Sequence, residues 1–219
     1  MNFMKTGKST KEKIWELRCA QPTDDGGAEA AISSALGVSP IVARLLCGRG
    51  YKTPEAARIF LTMGDTLIHD PFLLPDMAAA VERIERALAD PSEHIVIYGD
   101  YDVDGVTSVS ALYLYLLGRD PGLDIEYYIP SRSEEGYGVT CAALDTIAAH
   151  GATLVITVDT GITAEAEVDY AAKLGIDVIV TDHHECRETL PRAVAVINPH
   201  RSDSPYPSVI LPAWVWYSS

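Results

Sequence analysis

Seven side chains in three short motifs could gather and use a divalent cation. They are Asp100, Asp102 and Asp104 in Gly-Asp-Tyr-Asp-Val-Asp-Gly (99–105), Asp159 in Val-Asp-Thr-Gly (158–161), and Asp182, His183 and His184 in Thr-Asp-His-His (181–184). Each falls where an apolar run ends. In an open parallel sheet the C-terminal strand ends converge on one edge, which is where such folds bind ligands. Carboxylates brought together there repel one another unless cations sit between them. Carboxylates are hard oxygen donors suited to Mg²⁺ or Mn²⁺, and adding imidazole tilts the choice towards Mn²⁺.

The first motif predicts three carboxylates on one side of an extended strand end, because residues two apart point the same way. Gly99 and Gly105 relieve backbone crowding on either side. The competing reading is an acidic loop capping the next helix, where aspartate is favourable. Asp159 alone reads more readily as a cap for the helical segment that follows it. In Asp182-His183-His184 the adjacent imidazoles are expected to diverge, one binding metal and the other facing substrate, with the aspartate orienting a ring. A His-His pair alone is an ordinary solvated loop; three such motifs in series, each after a strand, favour a metal site.

The elements that must position these groups alternate. Apolar runs at His94–Tyr98, Ile125–Ile129, Leu154–Val158, Val178–Val180 and Ala193–Ile197 read as strands. Between them Met77–Leu88, Val106–Leu117, Thr140–Ala149 and Ala164–Leu174 read as helices. That pattern predicts an α/β fold: a parallel sheet with right-handed crossovers and helices on both faces. A small helical region precedes it. Ala28–Leu36 stops at Gly37, and Ser39-Pro40 and Thr53-Pro54 each give the start signal of a further helix. The expected division is 1–75 helical, 76–207 α/β, and 208–219 a separate tail.

Composition narrows the class. With 31 acidic and 17 basic residues among 219, the net charge is −14. A protein that grips nucleic acid by neutralising many phosphates shows the opposite balance, so metal ions must carry much of any such attraction. Cys19, Cys47, Cys141 and Cys186 have no paired spacing, which suits reduced thiols in a cytoplasmic protein. No stretch reaches the ~18–20 apolar residues of a membrane span, so no membrane partner is expected.

With these motifs in this order, the sequence resembles the DHH phosphoesterase superfamily, and within it the branch of single-strand-specific 5′→3′ DNA exonucleases. The likeness runs from about Trp15 to Tyr206 and includes His69-Asp70-Pro71-Phe72-Leu73-Leu74-Pro75-Asp76-Met77 and Ser131-Arg132-Ser133-Glu134-Glu135-Gly136-Tyr137-Gly138. The resemblance implies a hydrolase using two Mn²⁺ or Mg²⁺ ions for in-line attack on a phosphodiester, in DNA repair and recombination. It implies Asp102, Asp104, Asp159 and His183 as metal ligands, with Asp100 a further ligand or a close neighbour. His184 would polarise the scissile phosphate or help the leaving group, oriented by Asp182. Single-stranded DNA with a 5′ end is the implied partner. Arg132 is expected to bind phosphate, Gly136 and Gly138 to let backbone approach the strand, and Tyr137 to stack on a base.

The resemblance also implies a further aspartate motif and a clamp domain that these residues do not contain. Residues 208–219, with Trp214 and Trp216, depart from the family pattern, and a reading shifted by two bases over Leu211–Ser219 restores a glycine-rich segment of family type. The expectation is therefore a frameshifted tail, an incomplete two-ion site, and an impaired nuclease. Alternatives within the superfamily are phosphodiesterases of short oligonucleotides or cyclic dinucleotides, and a non-catalytic scaffold.

Overall fold

The computed structural model describes residues 26–62, 69–131, 136 and 138–207. Arg132, Tyr137 and the tail 208–219 lie outside the described residues. The chain divides between Thr66 and Leu67 into two compact units. In the first, α1 (Gly26–Leu36), α2 (Pro40–Gly48) and α3 (Pro54–Thr62) enclose a small core of Ile32, Ala43, Leu46 and Ala57. Ser39 and Thr53 cap the second and third helices through their hydroxyls, accepting from Val42 N and Ala56 N. These are the helix starts the Ser-Pro and Thr-Pro pairs predict.

The second unit is the α/β fold. After α4 (Met77–Ala89) come β1 (Ile95–Gly99), α5 (Val103–Arg119), β2 (Ile125–Tyr128), α6 (Cys141–Ala149), β3 (Leu154–Val158), α7 (Glu165–Lys173), β4 (Asp177–Thr181) and β5 (Ala195–Ile197). All neighbours pair in parallel, in the order β2-β1-β3-β4-β5. Strands β1 and β3 are buried at every residue, which is why they read as unbroken apolar runs rather than alternating ones. Ile95 and Ile97 face α4 and α5, while Val96 and Tyr98 face α6 and α7. Each such side chain contributes about 1.5–3 kcal/mol on burial, and the strand ends rest on that core.

The order reverses between β1 and β3. Chain leaving β1 moves towards β2, and everything after β3 extends the other way. The crevice at such a switch point is the ligand site of doubly wound sheets, and Asp100 and Asp159 stand on its two sides. At the outer strand β5, Asp76 Oδ2 accepts from Val196 N at 3.2 Å and from Arg201 Nη1 at 2.6 Å. Arg201 also donates to Val196 O, so that edge is covered rather than left open to pair.

One local expectation fails. Helix α5 begins at Val103, three residues earlier than the apolar pattern suggested. Asp102 is its N-cap, with Oδ1 accepting from Gly105 N at 2.9 Å, and Asp104 lies in its first turn. The three aspartates are therefore not alternate residues of an extended strand. The cap bond and the favourable helix dipole outweigh continued extension.

Candidate metal centre

The chain turns sharply after each of the central strands. After β1, Asp100 is buried and its Oδ1 accepts from Tyr101 N at 2.7 Å. Helix α5 starts so close by that a Cβ on Gly105 would strike the Asp100 backbone, and one on Gly99 would strike Val109. After β3, Asp159 is held in left-handed backbone, φ 60, a conformation uncommon outside glycine but tolerated by aspartate. Gly161 follows at φ +106, where a Cβ would meet Thr157 Oγ1 at 2.7 Å. Asp159 N donates to Thr181 O, and Thr181 Oγ1 to Thr157 O, locking the β3 and β4 ends together.

Asp159 is the most telling group. It is 1% exposed, and neither carboxylate oxygen accepts a hydrogen bond from a described residue. His183 Nε2 lies 2.9 Å from Oδ1, close enough to attract but without hydrogen-bond geometry. Burial, with the Asp102 charge beside it, pushes the Asp159 carboxyl up to about 7. Burial likewise raises Asp100, with Asp102 and Asp182 adding to it. A buried carboxylate whose oxygens accept no hydrogen bond is costly unless a cation takes them.

Two donor groups form around it: Asp159 with His183 and His184, and Asp159 with Asp100 and Asp102, each with its ligand atoms within 4.8 Å of one another. Asp159 belongs to both groups. The donors are carboxylate oxygens with imidazole nitrogen, a set that fits Mn²⁺ or Mg²⁺. Asp104 falls in neither group; it acts on His183 through its charge. His183 is shifted down by burial and by the neighbouring His184 charge, which keeps it neutral and able to ligate.

His184 differs. Its Nδ1 sits 2.7 Å from Asp182 Oδ1, and that bond lifts the imidazole to about 9. The rings of His183 and His184 are 4.9 Å apart and tilted by 58°. Asp182 is wholly occupied: Oδ1 accepts from His183 N and His184 N, and Oδ2 from Ile162 N. Burial alone would raise Asp182, yet these bonds and the His184 charge hold it below the ordinary carboxylate range. Asp159 does not cap α7, whose N-cap is Ala164 without a side-chain bond.

A model of the DHH family, N-terminal domain, matches residues 94–211, more than half of the chain. The chain belongs to the DHH family. Among its DHH relatives, the single-stranded-DNA-specific exonuclease RecJ of Bacillus subtilis is 42% identical over 193 residues, 88% of this chain and 24% of that protein. RecJ of Escherichia coli is 43% identical over 137 residues, 62% of this chain and 23% of that protein. The solved structure of Thermus thermophilus RecJ in complex with Mn²⁺ matches with a TM-score of 0.57 and 28% identity, over 87% of this chain and 26% of that one. An exonuclease RecJ bound to manganese matches with a TM-score of 0.54 and 34% identity, over 66% of this chain and 37% of that one. The chain thus spans about a quarter of the length of the curated relatives it matches.

Two features of this DHH centre escaped sequence reasoning. Asn198, fully buried after β5, donates from Nδ2 to His184 O at 2.9 Å and accepts from His200 N at 2.8 Å. It pins the His184 loop from below. The signal was present, since Asn198 follows an apolar run as each acidic motif does. A cavity of about 510 Å³ opens beside His184, walled by Gly138, Thr160, Ile162, Glu167 and Glu185 among others. Gly138 sits there at φ +88 and its carbonyl accepts from Tyr98 Oη. Of the predicted substrate contacts, Gly138 thus borders the centre, and Gly136 is also in left-handed backbone, φ 82.

Proposed function

We propose that this chain is the metal-binding portion of a single-strand-specific 5′→3′ DNA exonuclease, a cytoplasmic enzyme of DNA repair and recombination that hydrolyses phosphodiesters with two Mn²⁺ or Mg²⁺ ions. The observation that carries this reading is Asp159, buried among Asp100, Asp102 and His183 with neither carboxylate oxygen accepting a hydrogen bond from a described residue, in a chain whose curated relatives are named single-stranded-DNA-specific exonucleases.

Asp102, Asp159 and His183 hold the ions in this scheme, with Asp104 and Asp100 completing the donor set at the α5 end. Bound there, the ions would neutralise charge on the attacking and departing oxygens of an in-line displacement. His184, protonated at neutral pH, presents a cation to a phosphate oxygen, and Asp182 fixes its ring so that the proton on Nδ1 is not the one offered. Arg132 adds a second cation for the phosphate backbone. Gly136 and Gly138 leave room for the strand, with Tyr137 stacking on a base. In a chain of net charge −14 the ions and these few cations supply most of the attraction for a polyanion.

The test supplies Mn²⁺ and compares 5′-phosphorylated single strands, duplexes and dinucleotides, with manganese binding measured in parallel. Release of 5′ mononucleotides from single strands, lost in Asp159→Ala, is the expected result. Cleavage of dinucleotides with no attack on longer strands would assign the chain to the small-substrate branch. Absence of manganese binding would make it a scaffold and overturn the proposal.

A further inference from the structure

Tyr98 is a large side chain with a polar tip inside the sheet, and the metal chemistry does not use it. It stands on β1 two residues before Asp100 and is fully buried. Alternation along the strand sends it to the same face as Val96, in the core built with Ala143, Leu144 and Ile147 of α6. Its ring stacks on Tyr128 of β2, with centroids 5.4 Å apart and planes 18° from parallel. A buried tyrosine needs a partner for its hydroxyl, and Tyr98 Oη donates to Gly138 O at 2.9 Å. Phenylalanine would fill the same core, so the hydroxyl is what calls for a reason.

Gly138 lies between β2 and α6. Because β2 runs parallel to β1, the chain leaves it at the edge where Asp100, Asp159 and Asp182 stand. Gly138 is in left-handed backbone, φ +88, although a Cβ there would meet nothing within 4 Å. The turn, not crowding, sets its conformation. With Thr160, Ile162 and His184 it walls the cavity of about 510 Å³. The strand that carries Asp100 thus also holds one wall of the space beside His184. The donor groups have fixings of their own, from Asp100 Oδ1 to Tyr101 N and from Thr181 Oγ1 to Thr157 O. Losing the Tyr98 hydroxyl would free the wall without loosening them.

We propose that Tyr98 is a positioning residue for the nucleic-acid strand. Its hydroxyl fixes Gly138, and with it the wall against which the strand lies, so it governs how tightly a single strand is held rather than how fast it is cut. This rests on the exonuclease reading and adds to it a separation of holding from cutting along one strand of the sheet.

Steady-state kinetics of the full chain with Mn²⁺ and 5′-phosphorylated single strands test it, with Tyr98→Phe as the variant. KM should rise about fivefold, the effect of one neutral hydrogen bond, with kcat and manganese affinity unchanged. Ile147→Val, which thins the packing on the same face of the sheet, is the control and should leave KM where it was. An unchanged KM in Tyr98→Phe, a loss confined to kcat, or weaker manganese binding overturns the proposal and leaves the exonuclease reading intact. An equal rise of KM in Ile147→Val does the same. If the unsubstituted chain cleaves no single strand, the exonuclease reading falls and this proposal falls with it.

Discussion

The two ends of the β-sheet handle buried acid in opposite ways. At the N-terminal end, Arg83 is buried and donates to Asp177 Oδ2 at 2.6 Å and to Glu93 Oε2 at 2.8 Å, and Thr153 Oγ1 adds a bond to Glu93. Burial would raise Glu93, but the Arg83 and Thr153 bonds carry it below its ordinary value. At the C-terminal end, Asp159 is at least as buried, has no arginine, and is pushed up to about 7. One end answers its carboxylates with a side-chain cation. At the other, His184 answers Asp182, while the carboxylate oxygens of Asp159 accept no hydrogen bond from a described residue. That contrast separates a structural acidic cluster from the candidate metal centre.

The comparison can be broken most forcefully at Arg83. Arg83→Ala strands Glu93 and Asp177, which should cost about 3 kcal/mol, the low end for a buried pair because Asp177 is half exposed. Denaturant unfolding should show the loss, and manganese affinity should be unaltered. At the other end, Asp159→Asn should do the reverse: about 100-fold weaker Mn²⁺ binding by calorimetry, worth roughly 2.7 kcal/mol, with no loss of metal-free stability at pH 7.5. If both substitutions merely destabilise, the contrast is false.

A smaller effect is expected at Asp182. Asp182→Asn removes the partner of His184 Nδ1 and should weaken metal binding or activity about 10–100-fold, as outer partners of a metal site do. It should also drop the His184 titration from about 9 towards the ordinary imidazole value, which NMR titration reads directly. An unmoved His184 would remove Asp182 from the orienting role.

A pH dependence is also expected. The folded, metal-free chain holds the Asp159 proton up to about pH 7, whereas the unfolded chain releases it near 3.8. The fold therefore binds the extra proton between those values and loses stability as pH rises through the window. His184 adds a separate decline between its unfolded value of 6.5 and about 9, since its folded form keeps the proton longer. Relative to Asp159→Asn, the metal-free Tm of the unsubstituted chain should fall by several degrees between pH 4.5 and 7.5. Saturating Mn²⁺ should abolish that difference, and a flat difference curve would show that Asp159 is not strained.

Much of this was legible beforehand. The apolar runs at 94–98 and 154–158 read as strands, and the intervening helices argued for their parallel sense. The acidic and histidine motifs were legible because each follows such a run. The start of α5 was not, because a cap hydrogen bond from Asp102 to Gly105 N is invisible to a pattern read from apolar periodicity. Asp102 proves to be both a helix cap and a member of a donor group, two readings that composition set against each other. Asn198 was passed over because its buried partner, the His184 carbonyl, comes from another segment that only the fold brings near.

By itself the sequence determined the element order, the parallel sheet and the kind of ligand that acid and imidazole side chains would hold, since these follow from local periodicity and donor chemistry. Only the tertiary structure decided which carboxylates are answered and which are left open. Glu93 and Asp159 look alike as acidic residues at the ends of apolar runs. Folding places an arginine against the first and leaves the second buried without a hydrogen bond from a described residue, because pairing depends on what other segments bring to each end of the sheet.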